Sequence, residues 1–321
     1  MLRACRPRLS TLASASLLVS VFACSSEDDP SAAPPATATA TIYTSAFCER
    51  LDRCRPRSLR DSFGDVATCT QRFLPDIDDE LTSPGVKVTE AQADACAAKM
   101  RELPCTVPIS AMPECVFSGT LELGAPCGSG YQCRSGSCAR AEGSVCGECS
   151  ARVGANADCS LANCEPGLVC AAGRCRPPAE LGEACDAQPC RPGLQCFKGR
   201  CEEPLGPGEA CVPEPSRDAD ILDCDGNQLL FCSPSTDDPT KGRCAEVRHA
   251  PLGATCGLDR SANTLVACTA SSCSAPLLTG GGTCVADLKE GEACGATDAA
   301  CEVPLYCTKG RCSRFSIHTC N

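Results

Sequence analysis

Apolar residues recur at helical spacing mainly between residues 42 and 118. Phe47, Leu51 and Cys54 fall at i, i+4 and i+7, and Pro56 stops that run. Ser62 can cap a second helix with Val66, Cys69 and Phe73 on one face, ending before Pro75. Thr89 and Gln92 have the spacing of a capping box, and Ala93, Cys96, Ala97 and Met100 then line one face before Pro104. Cys48, Cys54, Cys69, Cys96, Cys105 and Cys115 lie on or beside these helices and can staple them together. Six thiols allow fifteen pairings, which the sequence leaves open.

From residue 119 the helical period gives way to Gly- and Pro-punctuated modules of roughly 25–40 residues, a repeat architecture. Their starts align as Leu123-Gly-Ala-Pro-Cys127, Leu181-Gly-Glu-Ala-Cys185, Gly208-Glu-Ala-Cys211, Leu252-Gly-Ala-Thr-Cys256 and Gly291-Glu-Ala-Cys294, with a looser version from Val153 to Cys159. Their ends align better. Cys164-Glu-Pro-Gly-Leu-Val-Cys170-Ala-Ala-Gly-Arg-Cys175 recurs as Cys190-Arg-Pro-Gly-Leu-Gln-Cys196-Phe-Lys-Gly-Arg-Cys201 and as Cys301-Glu-Val-Pro-Leu-Tyr-Cys307-Thr-Lys-Gly-Arg-Cys312. Pro-Gly suits a type II turn, and the later Gly permits a positive φ where the chain reverses, so each end predicts a small pinned hairpin. The fourth and fifth modules are a variant in which Asn227-Gln-Leu-Leu-Phe-Cys232 echoes Asn263-Thr-Leu-Val-Ala-Cys268, with Asp225-Gly226 as a hairpin turn. The remaining cysteines of this region are Cys133, Cys138, Cys146, Cys149, Cys224, Cys244, Cys273, Cys284 and Cys320.

Composition explains why cysteine carries the fold. Tryptophan is absent, aromatics make up 3%, and cysteine alone is 34 of 321 residues. Arg3, Arg6 and Arg8 precede an apolar stretch from Leu9 to Ala23 of signal-peptide length, too short and Ser-rich to span a bilayer. It ends Val21-Phe22-Ala23-Cys24, which resembles a bacterial lipobox; the resemblance implies cleavage before Cys24 and acylation of its sulfur and amine, enough chains for stable anchoring. Ordinary cleavage after Ala23 would instead give a secreted protein. Setting aside Cys5 and Cys24 leaves thirty-two thiols, an even set suited to sixteen disulfides in an oxidising compartment. Residues 24–41, acidic and then Pro/Ala/Thr-rich, read as a disordered tether. By resemblance to bacterial sorting rules, Ser25 after the lipidated cysteine implies the outer membrane or cell surface. Removing the three leader arginines takes the net charge from −11 to −14, which argues against nucleic acid as a partner.

The spacings in 127–201 and 294–312 resemble the Dickkopf N-terminal cysteine-rich domain, and the whole layout resembles bacterial lipoproteins that carry Dickkopf-like repeats. Animal Dickkopf proteins bind receptors at the cell surface; the resemblance implies a disulfide-rich interaction scaffold, and not any particular partner.

Other chemistry is weakly signalled. Asp223, Asp225 and Asn227 match the first ligand positions of a calcium loop, but Gln228 and Pro234 stand where Gly and Glu are required, so a turn is the better reading. Cys146-Gly-Glu-Cys149 has zinc or redox spacing without a second pair, which favours disulfides. The two histidines, His249 and His318, read as loop residues. Gly-Arg-Cys recurs at Arg174, Arg200, Arg243 and Arg311, either as a row that grips anionic glycan or as turn residues paired with Glu183, Glu209 or Glu292. The expectation is a small disulfide-rich protein: a helical six-cysteine domain over 42–118, then tandem modules of short hairpins and turns over 119–321. It is read as a non-catalytic, cofactor-free, lipid-anchored surface protein that binds a protein or envelope glycan or acts as a rigid spacer. The alternative is a protease inhibitor or the cofactor of a secreted enzyme.

Overall fold

The computed structural model describes residues 37–321 apart from 142–143, 145, 161, 187, 214–222, 236, 239, 260, 263, 276, 278–280, 296–299, 315–319 and 321. The expected signal peptide, Cys24, the expected tether up to residue 36, Asn263 and His318 lie outside the described residues. Among the described residues the fold is small and disulfide-rich, with sixteen disulfides, four α-helices and many short strands. No described helix is long and apolar enough to cross a membrane.

Helices α1 (Ala38–Cys54), α2 (Pro56–Ser62), α3 (Val66–Thr82) and α4 (Glu90–Glu102) come first. Helix α1 starts inside the stretch expected to be tether. The Thr37 side chain accepts from the Ala40 N–H, while its own N–H and hydroxyl both donate to Asp78 Oδ1 at 2.8 Å. A cap anchored to α3 therefore outweighs the disorder-prone composition. Ser62 ends α2 rather than capping α3. Gly64 at φ 82° breaks the chain, and Asp65 Oδ1 caps α3 by accepting from the Thr68 N–H at 2.7 Å. Pro75 sits inside α3 instead of stopping it. Leu74, Ile77 and Leu81 carry the apolar face past it onto the cluster of Tyr43, Ala97, Met100 and Met112. That burial offsets the roughly 3 kcal/mol cost of an interior proline. Helix α4 forms as its pattern predicts, with the Thr89–Gln92 capping box and Ala93, Cys96, Ala97 and Met100 buried.

Arg50 was not foreseen. Its guanidinium is only 6% exposed and donates to the carbonyls of Met100, Leu103, Pro104 and Val107 at 2.5–3.0 Å. Arg53 reaches Met100 and Leu103 as well, so two cations satisfy the orphan carbonyls at the C-terminal end of α4. Cys48–Cys69, Cys54–Cys105 and Cys96–Cys115 cross-link this helical part.

Six modules follow, each with its own small sheet. One disulfide rule serves all of them once Cys146, which bonds outside its module, is set aside: first to third cysteine and second to fourth. The pairs are Cys127–Cys138 with Cys133–Cys149, Cys159–Cys170 with Cys164–Cys175, and Cys185–Cys196 with Cys190–Cys201. They continue as Cys211–Cys232 with Cys224–Cys244, Cys256–Cys273 with Cys268–Cys284, and Cys294–Cys307 with Cys301–Cys312. The remaining bond, Cys146–Cys320, joins the first module to the end of the chain across 174 residues. This rule corrects the supposed echo in the fourth and fifth modules. Cys232 is a third cysteine and Cys268 a second, so the similar strings occupy different places in the frame. Asp225-Gly226 likewise starts a 3-10 turn, Gly226–Gln228, rather than a two-residue hairpin.

A main-chain rule accompanies the disulfides. The residue three before each first cysteine donates its N–H to the carbonyl of the fourth cysteine: Gly124, Asn156, Gly182, Gly208, Gly253 and Gly291, at 2.7–2.8 Å. The fourth cysteine donates back one residue further on, closing every module. All six donors have positive φ, and Asn156 holds the place of glycine at φ 64° because asparagine tolerates the left-handed region. The terminal hairpins turn through Ala172-Gly173, Lys198-Gly199 and Lys309-Gly310, both residues of each at positive φ, as a type I′ turn requires. In the third of these repeats the Pro-Gly turn is replaced by a cis Val303–Pro304.

The first module joins the helices through polar groups. Gln132 is fully buried; its Oε1 accepts from Gly128 and Ser129 and its Nε2 donates to the Pro84 carbonyl. The Ser129 hydroxyl donates to Glu80, and burial holds the Glu80 carboxyl above its ordinary pKa despite that bond.

Two outcomes are expected. Asparagine is the favoured residue at the first turn position, so Ala172→Asn, Lys198→Asn and Lys309→Asn should each raise stability by about 0.5–1 kcal/mol in urea unfolding of the oxidised protein. Because the folded Glu80 keeps its proton to higher pH than the unfolded one, its ionisation lowers stability as pH rises from the ordinary carboxylate range through the folded value. Glu80→Gln keeps an acceptor for Ser129, so it should gain on wild type between about pH 4 and pH 7 when urea midpoints are compared.

Candidate interaction site

The repeated arginines have a structural use. Arg174, Arg200, Arg243 and Arg311 each precede a fourth cysteine, and each donates Nη1 to the carbonyl of the positive-φ residue at the module start. The acceptors are Asn156, Gly182, Gly208 and Gly291, at 2.6–2.8 Å. The expected pairing with glutamate is corrected. Glu183, Glu209 and Glu292 instead accept from the backbone N–H three residues earlier, at Glu180, Gly206 and Lys289. Both side chains therefore brace the opening turn from opposite sides, one on a carbonyl and one on an N–H, and neither needs the other. The arginines remain exposed at the surface of their strands.

The other sequence candidates are placed as follows. Asp225 uses both carboxylate oxygens locally, on the Asn227 N–H and Gln228 Nε2, so it caps a turn. Cys146 and Cys149 go to separate partners, Cys320 and Cys133. Sulfur triads such as Cys127, Cys133 and Cys149 come within 4.8 Å of one another because two disulfides lie side by side in each module. Oxidised sulfur is not the thiolate that a metal or a nucleophile requires. His249 lies on a strand, Arg248–Ala250, rather than in a loop, and its Nε2 meets Asp61 Oδ1 of α2 at 2.7 Å.

What distinguishes the modules is how they meet the helices. In three of the six modules an ion pair joins the residue five before the first cysteine to the residue after the second. It is Glu122–Arg134 at 2.8 Å in the first module and Glu180–Arg191 at 3.0 Å in the third. The sixth module reverses the charges to Lys289–Glu302, also 2.8 Å. Reversal frees the acid for a second cation, and Arg72 of α3 takes it at 2.5 Å. Arg314 adds Asp76 of α3 at 2.6 Å and Glu290 at 3.3 Å. Burial raises the Asp76 pKa in spite of Arg314. Arg72, Lys289, Glu290, Glu302 and Arg314, with Val303, Pro304 and Leu305, line a cleft of about 270 Å³. The fourth and fifth modules lie on α2: the turn Gly226–Gln228 packs against it, and Ala270 donates its N–H to the Arg60 carbonyl at 3.1 Å.

The opening turn also displays apolar groups. Its first corner is Leu123, Leu181 and Leu252 in the first, third and fifth modules, 65%, 51% and 61% exposed. In each, an N–H two residues on donates to the carbonyl before the leucine, and glycine follows with positive φ, so the side chain is held outward on a type II turn. The sequence carried this signal in the aligned Leu-Gly starts, but exposure could be read only from the structure.

No protein-family model, curated protein or solved structure matches the chain.

Because Glu302 is 14% exposed and Glu122 is 68% exposed, one frame position should carry very different energies. Glu302→Gln is expected to cost about 2 kcal/mol in urea unfolding, and Glu122→Gln at most about 0.5 kcal/mol.

Proposed function

We propose that this chain is a lipid-anchored cell-envelope surface protein that works as a binding scaffold. Acylated Cys24 ties it to the outer membrane, a tether follows, and a helical six-cysteine domain carries six Dickkopf-like modules. The observation that supports this reading is the repeated display of leucine at one corner of one braced turn. Side chains fixed in advance lose little entropy when a partner covers them, so exposed leucines on a disulfide frame suit recognition. Isolated exposed leucines are ordinary on any surface; three at equivalent frame positions call for a shared cause. The partner is a protein or envelope glycan. The apolar corners favour protein, since a glycan would be gripped through hydrogen bonds and charge.

Native membranes are expected to yield a triacylated protein in which thirty-two thiols alkylate only after reduction. The triple variant Leu123→Ser, Leu181→Ser, Leu252→Ser should retain its urea midpoint to within about 0.5 kcal/mol. It should also lose most of the protein captured by wild type from cross-linked envelopes. Undiminished capture would exclude the leucine corners as the contact. Stoichiometric inhibition in a panel of secreted proteases would replace the scaffold with the inhibitor reading.

A further inference from the structure

Six copies of one frame put equivalent residues in different surroundings, and the differences single out a face on the second module. In the fourth, fifth and sixth modules the stretch after the second cysteine lies against an arginine-bearing helix of this chain. Arg57 of α2 donates to the Leu230 carbonyl at 3.4 Å, Ala270 donates to the Arg60 carbonyl, and Arg72 of α3 pairs with Glu302. The sixth module is the most specific of the three, because a carboxylate meets a guanidinium there at 2.5 Å.

The second module carries the same acid in the same place. Glu165-Pro-Gly-Leu168 follows Cys164 as Glu302-Val-Pro-Leu305 follows Cys301. Glu165, Pro166 and Gly167 are all exposed, and a Cβ added at Gly167 would meet nothing within 4 Å. Among the described residues the Glu165 carboxylate has no hydrogen-bond or ion-pair partner. Where the sixth module has Lys289 beside its acid, the second has Gly154, on which a Cβ would lie 3.5 Å from Glu165 Oε2. So no cation of its own module neutralises Glu165, and no side chain of that glycine covers it. An acid on a rigid turn with an open approach offers a guanidinium a bidentate contact.

We propose that the Glu165–Leu168 face of the second module docks an arginine-bearing helix of another protein, in the way the sixth module holds α3. The net charge of −11 favours a basic partner. The inference rests on the binding reading above and names the chemistry of one partner.

The probe is a synthetic peptide copying residues 66–82 of this chain, with Cys69→Ala, Asp76→Asn, Asp78→Asn, Asp79→Asn and Glu80→Gln so that Arg72 is its one charged side chain, and a lactam on the side away from Arg72 to hold it helical. It is titrated into the isotope-labelled, fully oxidised protein, whose sixth module already holds its own α3. Chemical-shift changes are expected at residues 164–170, and Glu165→Lys should weaken binding at least about threefold. A peptide carrying Arg72→Glu should restore binding to the Glu165→Lys protein. Glu165→Lys is an exposed substitution, and an unchanged urea midpoint verifies the fold. Shifts confined to other modules, or affinity indifferent to Glu165→Lys, would overturn the proposal. A Glu165-dependent dimer in sedimentation would also overturn it, by assigning the face to a second copy. Failure here, with the leucine variant still losing its envelope partner, would leave the scaffold reading intact.

Discussion

Everything in the modular part depends on two crossed disulfides and the pair of main-chain hydrogen bonds that closes each module on its fourth cysteine. A module of this size cannot exclude enough water from apolar side chains to fold alone, and its clusters are largely sulfur: Cys159, Cys164 and Cys175 with Val153 and Leu168 in the second. Each disulfide within a module closes 11 to 21 residues, short loops that restrain the unfolded chain by about 2–4 kcal/mol apiece. The opening turn must approach the fourth cysteine closely, which is why its donor has positive φ and is glycine or asparagine. In the third, fourth and sixth modules arginine and glutamate then brace that turn.

With the frame fixed by sulfur and backbone, the surface side chains are free to differ, and these differences decide how modules pack. The charge reversal at Lys289–Glu302 turns a pair that is merely solvated in the first module into a joint with α3. The fourth and fifth modules use a different device, an apolar seam of Phe231, Val247, Leu258 and Leu265 between their longer strands. The first module is held by the buried Gln132 and by Glu80. Cys146–Cys320 adds a covalent tie between the first module and the stretch after the sixth.

Much of this was legible from the chain. The Thr89–Gln92 box, the face of α4, the module starts and the hairpin ends all rest on local rules, in which neighbouring residues determine the conformation they themselves adopt. Where local signals misled, a distant contact had intervened. Asp78 drew the start of α1 into the supposed tether, and core packing carried α3 through Pro75. The arginines gave up glutamate for a carbonyl that comes near only when the module closes.

By itself, the sequence determined that this protein is built on disulfides, that it repeats, and where each module begins and ends, because cysteine count, glycine position and spacing are written along the chain. Tertiary structure alone decided which sulfurs join, which modules meet the helices, and which leucines and acids face outward. Those outcomes depend on what lies across space from each residue: a cysteine joins the sulfur that folding brings within bonding distance, and an acid pairs only where packing delivers a cation.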